Sequence, residues 1–115
     1  MFYGKEISTS SQITVIIDTF YRPKELKFAI ESIYNQTYKN FEIIIIDNKS
    51  NQETKQYLYS ISNKEEIRII KYNVNQFSFE DPQRMIRICC NDALKIARGD
   101  LIFYLSDDDW IEKNF

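Results

Sequence analysis

Residues 13–48, ITVIIDTFYRPKELKFAIESIYNQTYKNFEIIIIDN, decide the fold. Ile13-Thr14-Val15-Ile16-Ile17 is a β-branched run, consistent with a buried strand. Pro23 suits the first turn of a helix, where a missing N–H costs nothing. Leu26, Ala29, Ile30, Ile33 and Tyr34 then recur at the spacing of one apolar helix face. Phe41 to Ile46 is a second apolar strand, and Asp47-Asn48-Lys49-Ser50-Asn51 a polar turn behind it.

The same alternation continues outward. Thr54, Tyr57, Leu58 and Ile61 share the face of a weaker helix, and Ile67 to Tyr72 reads as a third strand. Asn73 to Glu80 is loop-like. Asp81-Pro82 predicts the start of a third helix, a capping carboxylate followed by proline. Ile86, Cys89, Cys90, Ala93, Leu94 and Ala97 keep helical spacing, and Gly99 reads as the stop. Leu101 to Leu105 is a fourth strand that runs straight into Ser106-Asp107-Asp108-Asp109. Strands alternating with helices imply an α/β fold, an open, mostly parallel sheet with right-handed crossovers. Residues 1–12 read as a lead-in and residues 13–115 as one domain.

Ligands of such sheets bind beyond the carboxyl ends of the strands, near the point where strand order reverses. The segments at that edge are Asp18 to Arg22, Asp47 to Asn51, Asn73 to Phe79 and Ser106 to Asp109. With the order 3-2-1-4, the first and last of these flank the crevice.

Composition excludes several chemistries. Lysine and arginine number 15 against 17 acids, a net charge of -2, so no polybasic nucleic-acid footprint exists. The chain has no histidine, hence no Ser-His-Asp triad, no Cys-His pair and no histidine-ligated metal. Its two glycines, Gly4 and Gly99, cannot build a P-loop or a GxGxxG turn. Cys89 and Cys90 are neighbours, which cannot close an ordinary disulfide, and they read as reduced, structural thiols. With 43% apolar residues, a mean hydropathy of -0.43 and no long apolar span, a soluble cytoplasmic domain is expected.

Asp107-Asp108-Asp109 after a buried strand is the strongest chemical signal. Hard divalent ions such as Mn²⁺ or Mg²⁺ want oxygen ligands, and a carboxylate-held ion lets an acidic site accept a diphosphate. The bland alternative is a solvated acidic turn or a helix N-terminus. Asp47 and Asn48 could read a base edge or a ribose hydroxyl, or the turn could serve only to cap a helix through Ser50 or Asn51. Phe20 and Tyr21 could stack on a base or cover the sheet end. Asp18 joins the acidic site or caps its own turn, and Arg84 and Arg87 reach phosphate or lie solvated.

These residues, in this order, resemble the inverting family 2 glycosyltransferases with the GT-A fold. The matching segments are residues 13–50, ITVIIDTFYRPKELKFAIESIYNQTYKNFEIIIIDNKS, and residues 97–110, ARGDLIFYLSDDDW. The resemblance implies the nucleotide-binding, Rossmann-like half of such an enzyme. It implies a nucleotide-diphosphate sugar donor, a UDP-sugar foremost, and a saccharide or lipid-linked acceptor. Carried over by position, Asp18, Thr19, Phe20 and Tyr21 form the first nucleotide-binding loop. Asp47 and Asn48 match the acidic pair that reads base and ribose. Asp107 falls on the ribose side of the DxD-type motif, with Asp108 first and Asp109 next for the metal. The sequence departs from the family pattern at Asp18, Tyr21, Asn48, Lys49 and Cys90. The acceptor half and the catalytic base are expected beyond Phe115. A nucleotide-sugar-binding module without turnover is the second reading. A phospho-acceptor signalling domain is the third, disfavoured because Tyr72-Asn73 stands where it needs an aspartate.

Overall fold

The structure, a computed structural model, describes residues 11–107. In chain order the elements are β1 (Ile13–Thr19), α1 (Pro23–Tyr34), β2 (Phe41–Asp47), α2 (Gln52–Ile61), β3 (Ile67–Lys71), α3 (Arg84–Ile96) and β4 (Leu101–Ser106). The four strands form one parallel sheet in the order β3-β2-β1-β4. The expected open α/β architecture is therefore the observed one.

The strand order explains where the helices lie. From β1 to β2 to β3 the chain moves one way across the sheet. From β3 to β4 it crosses back to the other side of β1. With right-handed crossovers, that reversal puts α3 on the face opposite α1 and α2. The side chains of each strand alternate accordingly. Val15, Ile17, Ile43, Ile45, Ile67 and Leu105 pack with Leu26, Ala29, Ile30, Ile33, Leu58 and Ile61. On the other face Ile16, Ile44 and Ile46 meet Cys89 and Ala93 of α3.

The third helix departs from the sequence reading. It begins at Arg84, after Gln83, and no side chain caps it. Asp81 lies two residues before the N-cap, Gln83; its carboxylate accepts from the Gln83 N–H and from the Arg87 guanidinium, with which it forms a local ion pair. Of the expected apolar face only Cys89 and Ala93 are buried, while Ile86 and Leu94 are exposed. Small residues at the contact let the helix lie close to β1 and β2, which splays its larger neighbours outward. Cys89 is buried and Cys90 half-buried. Burial, reinforced by nearby Asp18, pushes the Cys89 thiol up to about 12, so it is a poor nucleophile at neutral pH.

Gly99 does not stop α3 either. The helix ends at Ile96, and Ala97 is already extended. Gly99 is needed because the chain passes against β1. A Cβ there would sit 2.5 Å from Thr14 Oγ1, 2.7 Å from Thr14 N and 2.9 Å from Gln12 O. Its N–H donates to Thr14 Oγ1 at 2.9 Å. A buried polar cluster extends this clamp at the amino end of the sheet. Glu42 Oε2 accepts from Thr14 Oγ1 at 2.7 Å and from Arg98 N at 2.5 Å. Its Oε1 accepts from Arg68 at 2.5 Å, and the same Arg68 nitrogen donates to the Ile96 carbonyl at 2.6 Å. Glu42 thus ties the far end of α3 to three strands.

Candidate nucleotide cleft at the carboxyl edge

The strand register sets the site. Thr19 is level with Asp47, and Asp18 with Ser106, so three strand ends finish together. Strand order reverses between β1 and β4, and a cleft of about 660 Å³ opens at that edge. Asp18, Phe20, Tyr21 and Arg22 line it from the end of β1, and Ser106 and Asp107 from the end of β4. Asn48, Asn75, Phe77 and Met85 complete the wall on the β2 side.

Asp107 is nearly buried and sits between two groups of the β1 arm. Its Oδ2 accepts from the Thr19 hydroxyl at 3.2 Å, and its Oδ1 lies 3.8 Å from the Arg22 guanidinium. Thr19 is itself buried, so it acts as a support for Asp107 in this geometry. Asp18 accepts a hydrogen bond from the Tyr104 hydroxyl. Burial and that carboxylate hold the Tyr104 hydroxyl in its protonated, donating form. Phe20 and Tyr21 meet edge to face at 5.4 Å, and Arg22 lies 5.1 Å over the Tyr21 ring. Both rings are exposed, so neither is spent on the core.

The β2 turn is more inward than its residue types suggest. Asp47 is 1% exposed, and its carboxylate accepts from Ser50 N at 2.7 Å and from Lys55 Nζ at 3.2 Å. Burial raises its pKa, and the hydrogen bonds from Ser50 and Lys55 outweigh it, leaving the acid below the usual carboxylate range. Asn51 caps α2 by accepting from Thr54 N at 3.0 Å. Lys49 holds φ at 55°, the left-handed conformation that favours glycine.

Asn48 is also 1% exposed, and both ends of its amide are engaged. Its Oδ1 accepts from Gln76 N at 2.8 Å, and its Nδ2 donates to Met85 Sδ at 2.9 Å. Asn75 Nδ2 donates to the Asn48 carbonyl at 3.0 Å, and Asn75 Oδ1 accepts from Phe77 N at 2.8 Å. The loop after β3 is therefore clipped to the β2 turn, and Phe77 becomes part of the cleft wall.

Arg22, Asn75, Phe77 and Met85 were not singled out by the sequence reading. The available signal was their place at the expected ligand edge; their partners are set by tertiary contacts. Arg87 points to its pair with Asp81 and does not line the cleft. Asp108 and Asp109, the residues expected to hold a metal, lie outside the described residues. A second cleft, about 550 Å³, runs along α2 and β3 past Lys55, Tyr59 and Lys71. It is on the far side of β2 from the strand-order reversal.

The profile of the family described as Glycosyl transferase family 2 matches residues 14–115. The chain belongs to glycosyltransferase family 2. A family relative in Campylobacter jejuni, GalNAc(5)-diNAcBac-PP-undecaprenol beta-1,3-glucosyltransferase, is 37% identical over 98 residues, 85% of this chain and 30% of the relative. The Escherichia coli protein WfaP, UDP-Glc:alpha-D-GlcNAc-diphosphoundecaprenol beta-1,3-glucosyltransferase, is 39% identical over 103 residues, 87% of this chain and 37% of the relative. Among solved structures, S. aureus TarS 1-349 in complex with UDP superposes with a TM-score of 0.72 at 25% identity, covering 90% of this chain and 29% of that one. This chain thus spans about a third of each of these proteins. The GT-A, Rossmann-like sheet expected from the family is the sheet observed. Among the described residues no helix is long and apolar enough to cross a membrane.

Proposed function

We propose that residues 13–115 are the donor-binding part of an inverting, metal-dependent glycosyltransferase. The donor is a nucleotide-diphosphate sugar, foremost a UDP-sugar, and the acceptor a saccharide or a lipid-linked glycan. The observation that carries this reading is the cleft at the β1–β4 reversal, with Asp107 held in its wall by Thr19 and Arg22. The named substrates of the relatives, nucleotide sugars and undecaprenol-linked acceptors, support it. The cleft's size, about 660 Å³, lies in the ordinary range for small-molecule sites.

In this reading Phe20 and Tyr21 offer ring faces to the base, with Asp18 and Asn48 beside them in the lining of the cleft. Asp47 holds the turn that presents Asn48. Asp107 faces the ribose. Asp108, and after it Asp109, would hold Mn²⁺ or Mg²⁺. The donor set suits a hard ion: the run is all carboxylate, and its first member already lies at the cleft wall with Arg22 offsetting its charge. Bound there, such an ion would supply positive charge to offset a donor diphosphate. Inverting transfer also needs a base to take the acceptor hydroxyl's proton. The working place is the cytoplasm, at the inner face of the membrane.

Calorimetric titration of UDP with and without Mn²⁺ tests the reading. Asp108→Asn is expected to leave the fold intact and to weaken metal-dependent binding by at least about tenfold, the order seen when even an outer partner of a metal ligand is lost. Metal-free binding should hardly change. Equal UDP affinity in Mn²⁺ and in chelator would rule out the metal role.

A further inference from the structure

We propose that Arg22 binds a phosphate oxygen of the donor and gives the cleft an affinity for nucleotide phosphate that needs no metal ion. This rests on the reading of the cleft as a nucleotide-diphosphate site, and it names one contact within it.

The first observation is charge. The described residues that line the cleft include two acids, Asp18 and Asp107, and one cation, Arg22. A diphosphate entering along this wall is repelled by the acids and attracted by Arg22. The second observation is how the guanidinium is held. It lies 5.1 Å over the Tyr21 ring, donates to the Tyr21 hydroxyl at 3.3 Å and faces Asp107 Oδ1 at 3.8 Å. The side chain is 35% exposed, so most of it is laid against the cleft wall. The backbone beneath it is fixed. The Arg22 carbonyl accepts from Leu26 N at 2.9 Å, and Pro23 follows as the first residue of α1. The third observation is place. Arg22 reaches from Tyr21, a ring offered to the base, to Asp107, the carboxylate on the ribose side. The phosphate of a nucleotide is carried by that same ribose, so a cation resting against Asp107 lies next to where the phosphate enters.

Chemistry favours the exchange of partners. A hydrogen-bonded ion pair closes to about 2.7–2.9 Å. The Arg22–Asp107 pair is longer, at 3.8 Å, and partly open to water, so little attraction is given up when Arg22 turns to another anion. A phosphate offers the planar guanidinium two oxygens at once, a better partner than a carboxylate held at that distance. Asp107 keeps the Thr19 hydroxyl in the exchange, so its carboxylate is not left in the wall without a donor.

The test is an amide NMR titration of the 115-residue chain in chelator with three probes, UDP, uridine and inorganic pyrophosphate. Arg22→Gln should weaken UDP and pyrophosphate by about tenfold or more, the scale of a hydrogen bond to a charged group. It should leave uridine unchanged, a split that a merely structural role would not produce. Arg22→Lys keeps the charge without the fork and should fall between the parent and Arg22→Gln. Added salt should narrow the gap between parent and Arg22→Gln for UDP. Both variants should unfold near the parent temperature, because a partly exposed pair at 3.8 Å adds little stability. Equal UDP affinity in parent and Arg22→Gln would overturn the proposal. So would a loss for uridine as large as the loss for UDP, since that assigns Arg22 to holding Asp107 or to the base. UDP bound in Mn²⁺, with neither UDP nor pyrophosphate bound in chelator, would overturn it and keep the donor reading. Pyrophosphate binding that needs Arg22, with UDP bound no more tightly, would sink the nucleotide reading and leave this phosphate contact standing.

Discussion

Replacing Glu42 with alanine is expected to cost about 3–5 kcal/mol of folding stability, the usual penalty for breaking a buried ion pair from one side. Glu42 is 4% exposed and accepts from the Thr14 hydroxyl, the Arg98 N–H and the Arg68 guanidinium. Alanine leaves all three donors without that acceptor in a site that water enters poorly. The damage should reach the opposite edge of the sheet. α3 runs from Met85, bonded to Asn48 at the cleft, to Ile96, bonded to Arg68 beside Glu42. Loosening one end frees the other. Urea unfolding measures the loss, and a cost near zero would show that the cluster contributes little.

The same residue gives a pH signature. Burial raises the Glu42 pKa, but the Arg98 N–H, the Thr14 hydroxyl and the Arg68 guanidinium together leave it below its ordinary value of 4.5. A carboxylate whose folded pKa is depressed adds stability above its unfolded pKa. That contribution is lost as pH falls through the folded value. The difference in stability between the parent and Glu42→Gln should thus be full at neutral pH and shrink below the ordinary carboxylate range. A difference that grew on acidification would contradict the assignment.

Asp47→Ala is expected to cost about 1–3 kcal/mol, because the buried N–H of Ser50 loses its acceptor. Lys55 adds little to that cost, since its ammonium is half-exposed and regains water. Asp47→Asn keeps an oxygen for Ser50 and should recover most of the loss. The turn matters to the cleft because Asn48 follows directly and clips the loop that carries Phe77. Thermal unfolding of the two variants separates the cases. Alanine and asparagine variants that are both as stable as the parent would show that Asp47 does not hold this turn.

Much of the architecture is legible in the residues themselves. Ile13 to Ile17 and Phe41 to Ile46 are apolar runs broken only by Thr14 and Glu42, because both faces of a parallel sheet are covered. Leu26, Ala29, Ile30 and Ile33 announce α1 by spacing alone, and all are buried. The cleft's location follows from alternation and right-handed crossover, before any contact is known.

What fails is what depends on distant partners. Asp81-Pro82 has the look of a helix start, yet the regular helix begins only at Arg84, and Arg87 pairs with the carboxylate. Gly99 has the look of a helix stop, yet the constraint at that point is Thr14 on another strand. The partners of Asn48 are equally out of reach: Gln76 N and Met85 Sδ bond its amide from elsewhere in the chain. Nothing in the sequence reading singles out Glu42 within the β2 run, and only the folded chain shows Arg68, Arg98 and Thr14 converging on it.

The central claim, that the β1–β4 cleft holds a nucleotide diphosphate, is tested most directly by an amide NMR titration with UDP and Mg²⁺. Saturable shifts are expected at Thr19 to Arg22, Asn48, Asn75 to Phe77 and Ser106 to Asp107, residues of that cleft and its rim. Shifts centred on Gln52, Lys55, Tyr59 and Lys71, the second cleft, or no saturable shifts at all, would contradict it.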